Sequence, residues 1–231
     1  MNKETITEKF FAAGIEINGK QAEMFSVYLD MLKIWSEKIN LTAVKTEEET
    51  VSRHFIESLL PQKSGILFSG ADCADVGSGA GFPGIPLSIM RPDIEMTLIE
   101  SLGKRVDFLD AVIAQTGLKN CRTAKMRSED AARGEYRERF DIVFARAVAR
   151  MATLAELCLP LVKTGGKTAA FKSLMAKEEF EEAKNAIILL GGGDAEIYGT
   201  AERNLIIIKK LSPTPAKYPR RAGKAASSPI K

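Results

Sequence analysis

The stretch from Asp75 to Pro86, DVGSGAGFPGIP, carries the densest chemical signal in the chain. An apolar run ends at Val76, and glycines follow at alternate positions, Gly77, Gly79 and Gly81. Glycine adopts positive φ and lets the backbone approach a ligand with no Cβ in the way. Gly84 to Pro86 predicts a helix start, where proline suits the first turn. Strand, glycine loop and helix start together describe the crevice of an open α/β sheet that receives an adenosine-containing ligand. Two ligand types come into question. Gly79 to Gly84 satisfies GxGxxG, the dinucleotide fingerprint. In that fingerprint the first glycine directly follows the strand, a place held here by Gly77. The frame that fits the strand is Asp75-x-Gly77-x-Gly79-x-Gly81. An acid just before the glycines repels a pyrophosphate and suits a cationic group, such as the ammonium of S-adenosylmethionine.

Further candidates follow in order along the chain. Glu100 ends the next predicted strand, 23 residues beyond Gly77, where a carboxylate accepts hydrogen bonds from ribose hydroxyls. Ser128 and Glu129 follow the third strand and are placed to reach an adenine edge. Arg146, after the fourth strand, and Lys172, after the fifth, are candidates for positioning a substrate. His54, the one histidine, is a candidate for orienting a substrate. Cys158, in the apolar stretch ELCLPL, reads as core, and Trp35 likewise.

These residues need a scaffold. The 231 residues are 45% hydrophobic and 27% charged, enough for one sizeable core and incompatible with a disordered or fibrous chain. No apolar run approaches the roughly 20 residues of a membrane span. The N-terminus has acids where a signal peptide has its basic end, and no cysteine pair has metal-ligand spacing. A cytoplasmic, metal-free monomer is expected. Residues 1–62 read as a helical extension. Within it, Thr46 and Glu49 form a capping box for a helix to about Leu60, with Pro61 after it. Residues 63–211 alternate apolar runs with helical stretches, which predicts five parallel strands closed by a hairpin, seven in all. Residues 212–231 are rich in proline, serine and basic residues and read as a tail or loop. Eight of the 33 basic residues and no acid lie from Arg203 to Lys231, a balance that suits a polyanionic partner.

The order Asp75-x-Gly77-x-Gly79-x-Gly81 resembles the first motif of class I methyltransferases. With INLTAV (39–44), RHFIESL (53–59), LIESLGKRVDFL (98–109), RSED (127–130), FDIVFARAVA (140–149) and YPRRAGKAASSPI (218–230), the chain resembles the RsmG (GidB) family through most of its length. The family methylates guanine N7 in bacterial small-subunit (16S) ribosomal RNA. The resemblance implies an α/β, Rossmann-like class I fold. It also implies S-adenosylmethionine as cofactor, with contacts at Gly77, Phe82, Ser128, Glu129 and Arg146. Family members often carry alanine in place of Ser128, so that position is read mainly through its backbone, and often aspartate in place of Glu57. In the tail, Tyr218, Arg220, Arg221 and Lys224 mix an aromatic with charge, as RNA grips do. Guanine N7 has an in-plane lone pair and no proton, so its methylation needs positioning rather than a nucleophile or strong base, and no residue is singled out as catalytic. The alternatives are a small-molecule methyltransferase of the same fold, a non-catalytic RNA-binding protein, and an NAD enzyme, which Asp75 disfavours.

Overall fold

The computed structural model describes residues 1–42, 46–172, 176–199 and 203–231. The N-terminal region is helical. α1 (Lys3–Ala12) starts where the Asn2 side chain accepts from Thr5 N–H. α2 (Gly19–Ser36) starts at a capping box between Asn18 and Gln21. Its residues Ala22, Phe25, Tyr28, Leu29 and Leu32 recur at helical spacing and are buried. α3 (Glu47–Thr50) is capped by Thr46, whose hydroxyl accepts from Glu49 N–H at 3.2 Å. The Glu49 carboxylate returns to that hydroxyl, at 3.5 Å, so the box is not closed through the backbone.

The helical path does not stop at Leu60. It continues as a π turn (Val51–Ile56), a 3-10 turn (Glu57–Leu59) and α4 (Leu60–Lys63). Pro61 lies in the first turn of α4, where its missing N–H has no partner to lose, and so does not end the path as expected.

The seven strands are β1 (Asp72–Val76), β2 (Glu95–Glu100), β3 (Cys121–Lys125), β4 (Phe140–Arg146), β5 (Val162–Lys172), β6 (Gly192–Gly199) and β7 (Asn204–Lys210). They form one sheet in the order β3-β2-β1-β4-β5-β7-β6. The first five are parallel, and β7 runs antiparallel between β5 and β6. α5 (Gly84–Met90), α6 (Gly103–Thr116), α7 (Ser128–Arg133), α8 (Met151–Cys158) and α9 (Ala176–Leu189) follow β1 to β5 in turn, and α10 (Lys224–Ser227) lies near the C-terminus. This is the α/β, mostly parallel architecture expected.

Register places the site. Val76 pairs with both Ile99 and Ala145, and Arg146 pairs with Phe171. The carboxyl ends of β1, β2, β4 and β5 are therefore level, and the crevice opens where the strand order reverses beside β1. Alternation along β1 sends Cys73 to one face and Ala74 and Val76 to the other. The Cys73 face shares a core with α1, α2 and α6, through Phe10, Phe25 and Phe108. The N-terminal helices are thus part of the main core. The opposite face packs against α8 and α9.

Residues 212–231, expected as a tail, are docked on that second face. Thr214 and Ala225 are buried, and Tyr218 and Ile230 pack on the second core. Arg137 donates to Thr214 O and Tyr218 O, both at 2.8 Å, and Thr153 Oγ1 donates to Ala225 O. Lys210 is fully buried and donates to Leu159 O and Thr214 Oγ1, both at 2.6 Å, with Glu138 at 3.3 Å. Burial pulls its pKa down to about 8. Apolar packing and these hydrogen bonds hold the segment on the sheet, so its basic composition does not leave it free in solvent.

Candidate active site

Three adjoining cavities line the carboxyl edge of the sheet. The first runs from Gly77 past Glu100 to Met126, Glu129 and Leu157. The second lies over the glycine loop, between Thr42, His54, Gly79, Phe82 and Arg105. The third lies beyond Arg146 and Ala147, against Glu57, Phe171 and Lys172. Gly77 borders the first two, and Arg146 with Ala147 borders the second and third. Ala147 has φ 56°, a left-handed conformation uncommon for a residue with a Cβ and often found at functional sites.

The loop glycines do three different jobs. Gly77 has φ 67°, and a Cβ there would sit 3.0 Å from Val148 Cγ2, at the mouth of the first cavity. Gly79, with φ 58°, donates its N–H to Glu100 Oε2 at 3.0 Å and so ties the loop to β2. Gly81 borders none of the three cavities: a Cβ there would meet Ile85 Cδ1 at 2.5 Å and the Tyr28 hydroxyl at 2.9 Å. Its hydrogen atom lets α2 approach the loop, where Tyr28 donates to Ala80 O.

Asp75 departs from expectation most clearly. Alternation along β1 puts its carboxylate beneath the loop, fully buried, where Oδ2 accepts from Gly84 N–H at 3.1 Å. It lines none of the three cavities, so it is placed to hold the start of α5 and not to meet a ligand's ammonium. Oδ1 is buried, and among the described residues it has no hydrogen-bond partner. Burial raises the pKa to about 7, against the pull of the Gly84 amide.

Glu100 lies at the edge of the first cavity, with Oε1 accepting from Ser101 N–H at 2.7 Å and Leu102 N–H at 2.9 Å. These amides hold the carboxylate in one orientation. Ser128 Oγ donates to Leu157 O at 2.5 Å, which leaves its backbone at the cavity. Glu129 Oε1 accepts from Gly223 N–H at 2.8 Å.

Arg146 joins the sheet to the N-terminal helices. It donates to Ser58 Oγ and Glu57 Oε2, each at 3.2 Å, and to the Arg53 carbonyl. Its Nη2 lies 3.3 Å from His54 Nδ1, and the other His54 nitrogen is 2.7 Å from Thr42 Oγ1. His54 sits in the π turn, a distortion common at functional sites, and stacks on Phe82 with ring centres 4.5 Å apart. Burial, and next the Arg146 charge, pull its pKa down to about 4. Phe82 also packs against Tyr28 and Phe55, with the Arg146 guanidinium 6.0 Å from its ring centre, and is 8% exposed where it lines the second cavity. Glu57 Oε2 is also 2.9 Å from Arg203 Nε, which gives the longer acid a role between two arginines. Lys172 borders the third cavity, but its Nζ donates to Ala149 O at 2.7 Å and Glu179 Oε2 at 2.6 Å. It braces the β4–α8 loop.

Of the RNA candidates, Arg221 and Lys224 are exposed and Tyr218 is half-buried. Arg220 is committed elsewhere: Nε and Nη2 grip Glu156, which is 1% exposed. That pairing takes the guanidinium away from a phosphate. Thr42 of INLTAV touches His54, whereas residues 43 and 44 of that motif lie outside the described residues. Thr42, Ser58, Val148 and Phe171 were not legible as site residues, because their places depend on contacts between distant segments. Cys158 and Trp35 lie in and against the cores, as read. Among the described residues no cluster could hold a metal ion, and no helix is long and apolar enough to cross a membrane.

The model of the family described as rRNA small subunit methyltransferase G matches residues 21–206. The ribosomal RNA small subunit methyltransferase G of Clostridium perfringens is 45% identical over 227 positions, covering 95% of each chain. That of Staphylococcus epidermidis is 42% identical over 236 aligned positions, covering 100% of this chain and 99% of the other. Among solved structures, an S-adenosylmethionine-dependent methyltransferase of Aquifex aeolicus superimposes with TM-score 0.57 at 16% identity, covering 79% of this chain and 99% of that one. A putative one from Methanococcus maripaludis gives 0.57 at 15% identity, covering 80% and 92%. These two likenesses establish the class I methyltransferase fold.

Proposed function

We propose, from the premise that the chain belongs to the rRNA small subunit methyltransferase G family, that it methylates N7 of a guanine in 16S ribosomal RNA. It is an rRNA methyltransferase, and in this proposal S-adenosylmethionine is the donor and the enzyme works as a cytoplasmic monomer. We divide the chain into a helical extension (1–62), a cofactor domain (63–211) and a basic C-terminal segment (212–231).

The observation that carries this reading is the run of cavities joined at Gly77 and at Arg146–Ala147. The residues fit the cofactor. The first cavity is bare at Gly77, where a Cβ would meet Val148 at 3.0 Å, and two carboxylates, Glu100 and Glu129, line it. Glu100 would take the ribose hydroxyls, and Glu129 with the Ser128 backbone the adenine edge. The second cavity, with Gly79 and Arg105, would hold the amino-acid end. When bound, the cofactor supplies an electrophilic methyl group on a sulfonium.

The chain's own residues position the acceptor. The third cavity would receive the guanine against the apolar face of Phe171, with Arg146 and Glu57 at its polar side. Arg146 is held by Ser58 and Glu57, so the helical extension sets the geometry at the junction. Guanine N7 carries no proton, so no base is required, and orientation with fixed charge carries the catalysis. All three cysteines are buried, which argues against the cysteine-nucleophile route used for cytosine C5. The place of an amino-methylating [DNS]PP[YF] loop reads Arg146-Ala147-Val148.

The test is transfer of radiolabel from S-adenosylmethionine to unmethylated small-subunit RNA, free and in ribosomal particles, followed by digestion to nucleosides. Label in 7-methylguanosine is expected. Label in another nucleoside overturns the acceptor atom. No transfer, with cofactor binding intact, overturns the RNA target.

A further inference from the structure

Two buried acids on the second face of the sheet point at the same stretch of chain. Glu156, on α8 and 1% exposed, accepts from the Arg220 backbone N–H at 2.8 Å, from Nε at 2.8 Å and from Nη2 at 2.5 Å. Glu129, on α7 and 6% exposed, accepts from Gly223 N–H at 2.8 Å through Oε1. Among the described residues no hydrogen bond reaches its Oε2. Glu129 lines the first cavity, and Glu156 lies behind its wall, one residue before the lining Leu157. Leu157, next to Glu156, lines the first cavity and takes the Ser128 hydroxyl at 2.5 Å, while Ser128 and Glu129 line it from α7.

We infer that the C-terminal segment from Tyr218 to Ile230 is a working part of the cofactor site, with Arg220 and Gly223 as positioning residues for the Glu129 carboxylate. The inference rests on the first cavity being the adenosine site. A carboxylate free to rotate offers either oxygen in any direction. The Gly223 amide fixes Oε1 and leaves Oε2 to accept the exocyclic N–H of adenine. The Arg220–Glu156 pair holds the segment that presents Gly223. A purine with a carbonyl at the same position meets a carboxylate oxygen and is repelled. The segment therefore sets base selectivity within the cofactor, a role separate from contact with RNA.

The test uses the full chain, calorimetry, and two probes, S-adenosylhomocysteine and S-inosylhomocysteine. The wild type binds the adenosyl compound at least about tenfold more tightly than the inosyl one. Arg220→Ala and Glu156→Gln weaken adenosyl binding by about tenfold and narrow the gap between the probes, and Arg220→Lys restores part of both. Glu129→Gln keeps a carbonyl for Gly223 and turns an NH2 toward the base, so the preference shifts to the inosyl compound. In turnover, Arg220→Ala raises the cofactor KM far more than it lowers kcat, a split that a general loss of folded protein does not give. Circular dichroism checks folding; if Arg220→Ala does not fold, Arg220→Lys and Glu156→Gln carry the test. Folded variants with wild-type affinity and an unchanged gap overturn the inference. A wild type that does not bind S-adenosylhomocysteine overturns the reading of the cavity itself.

Discussion

Arg146 Nη2 stands 3.3 Å from His54 Nδ1, on a ring whose other nitrogen is 2.7 Å from the Thr42 hydroxyl. A guanidinium only donates, so Nδ1 accepts, and Nε2 carries the proton and donates to Thr42. One contact thus sets the tautomer of the one histidine and couples it to the end of β4.

The first prediction concerns that ring. With its pKa at about 4, against 6.5 for an ordinary histidine, His54 is neutral in the folded state when it is already charged in the unfolded chain. The unfolded chain binds the extra proton between those values, so this group lowers stability as pH falls from 6.5 to about 4. Titration of the His54 ring signals by NMR should give a midpoint near 4, with the proton on Nε2 above it. A midpoint near 6.5 would show that the ring is not enclosed by Arg146 and Phe82.

Asp75 acts in the opposite direction. Its pKa is raised from 3.8 to about 7, so the folded state keeps a proton that the unfolded chain has lost. Its contribution is present below 3.8 and is lost as pH rises through about 7. Asp75→Asn keeps a carbonyl for the Gly84 amide and cannot ionise. Its stability relative to wild type should improve between pH 4 and 8 by up to about 4 kcal/mol, read from urea unfolding at several pH values. A difference that stays constant with pH would show that Asp75 is charged throughout.

Gly77 tests the loop. Its φ of 67° disfavours any β-branched residue, and a Cβ would sit 3.0 Å from Val148. Gly77→Val should give no detectable heat with S-adenosylhomocysteine at concentrations that saturate the wild type. Normal affinity would move the cofactor away from this loop.

The exposed cations of the C-terminal segment test RNA contact. Arg221 and Lys224 are exposed, whereas Arg220 is bound to Glu156. Arg221→Ala with Lys224→Ala should weaken RNA binding and reduce the slope of log affinity against log salt by about 1.4, at roughly 0.7 per contact to a single strand. An unchanged slope would leave both residues as solvated charge.

The strand–glycine–helix unit could be read without coordinates, since glycine spacing and the switch from period 2 to helical spacing are local properties. The same holds for the seven strands, Glu100 at the end of β2, and Arg146 at the end of β4. The direction of the Asp75 carboxylate could not be read, because it depends on which face of β1 lies under α5. The commitment of Lys172 to Glu179 and of Arg220 to Glu156 was equally hidden: a basic residue looks the same in sequence whether it meets solvent, phosphate or a buried acid.

The sequence by itself determined the sheet, the loop that ends β1, and the supply of acids and bases along its carboxyl edge. Tertiary structure decided which of those charges face a cavity. Only in the folded chain are Arg53, His54, Glu57 and Ser58 brought to Arg146, some 90 residues away, and Glu129 and Glu156 to a segment that reads as a tail. The reason is that periodicity encodes neighbours within one element, whereas a buried charge chooses its partner across elements by what else is desolvated beside it.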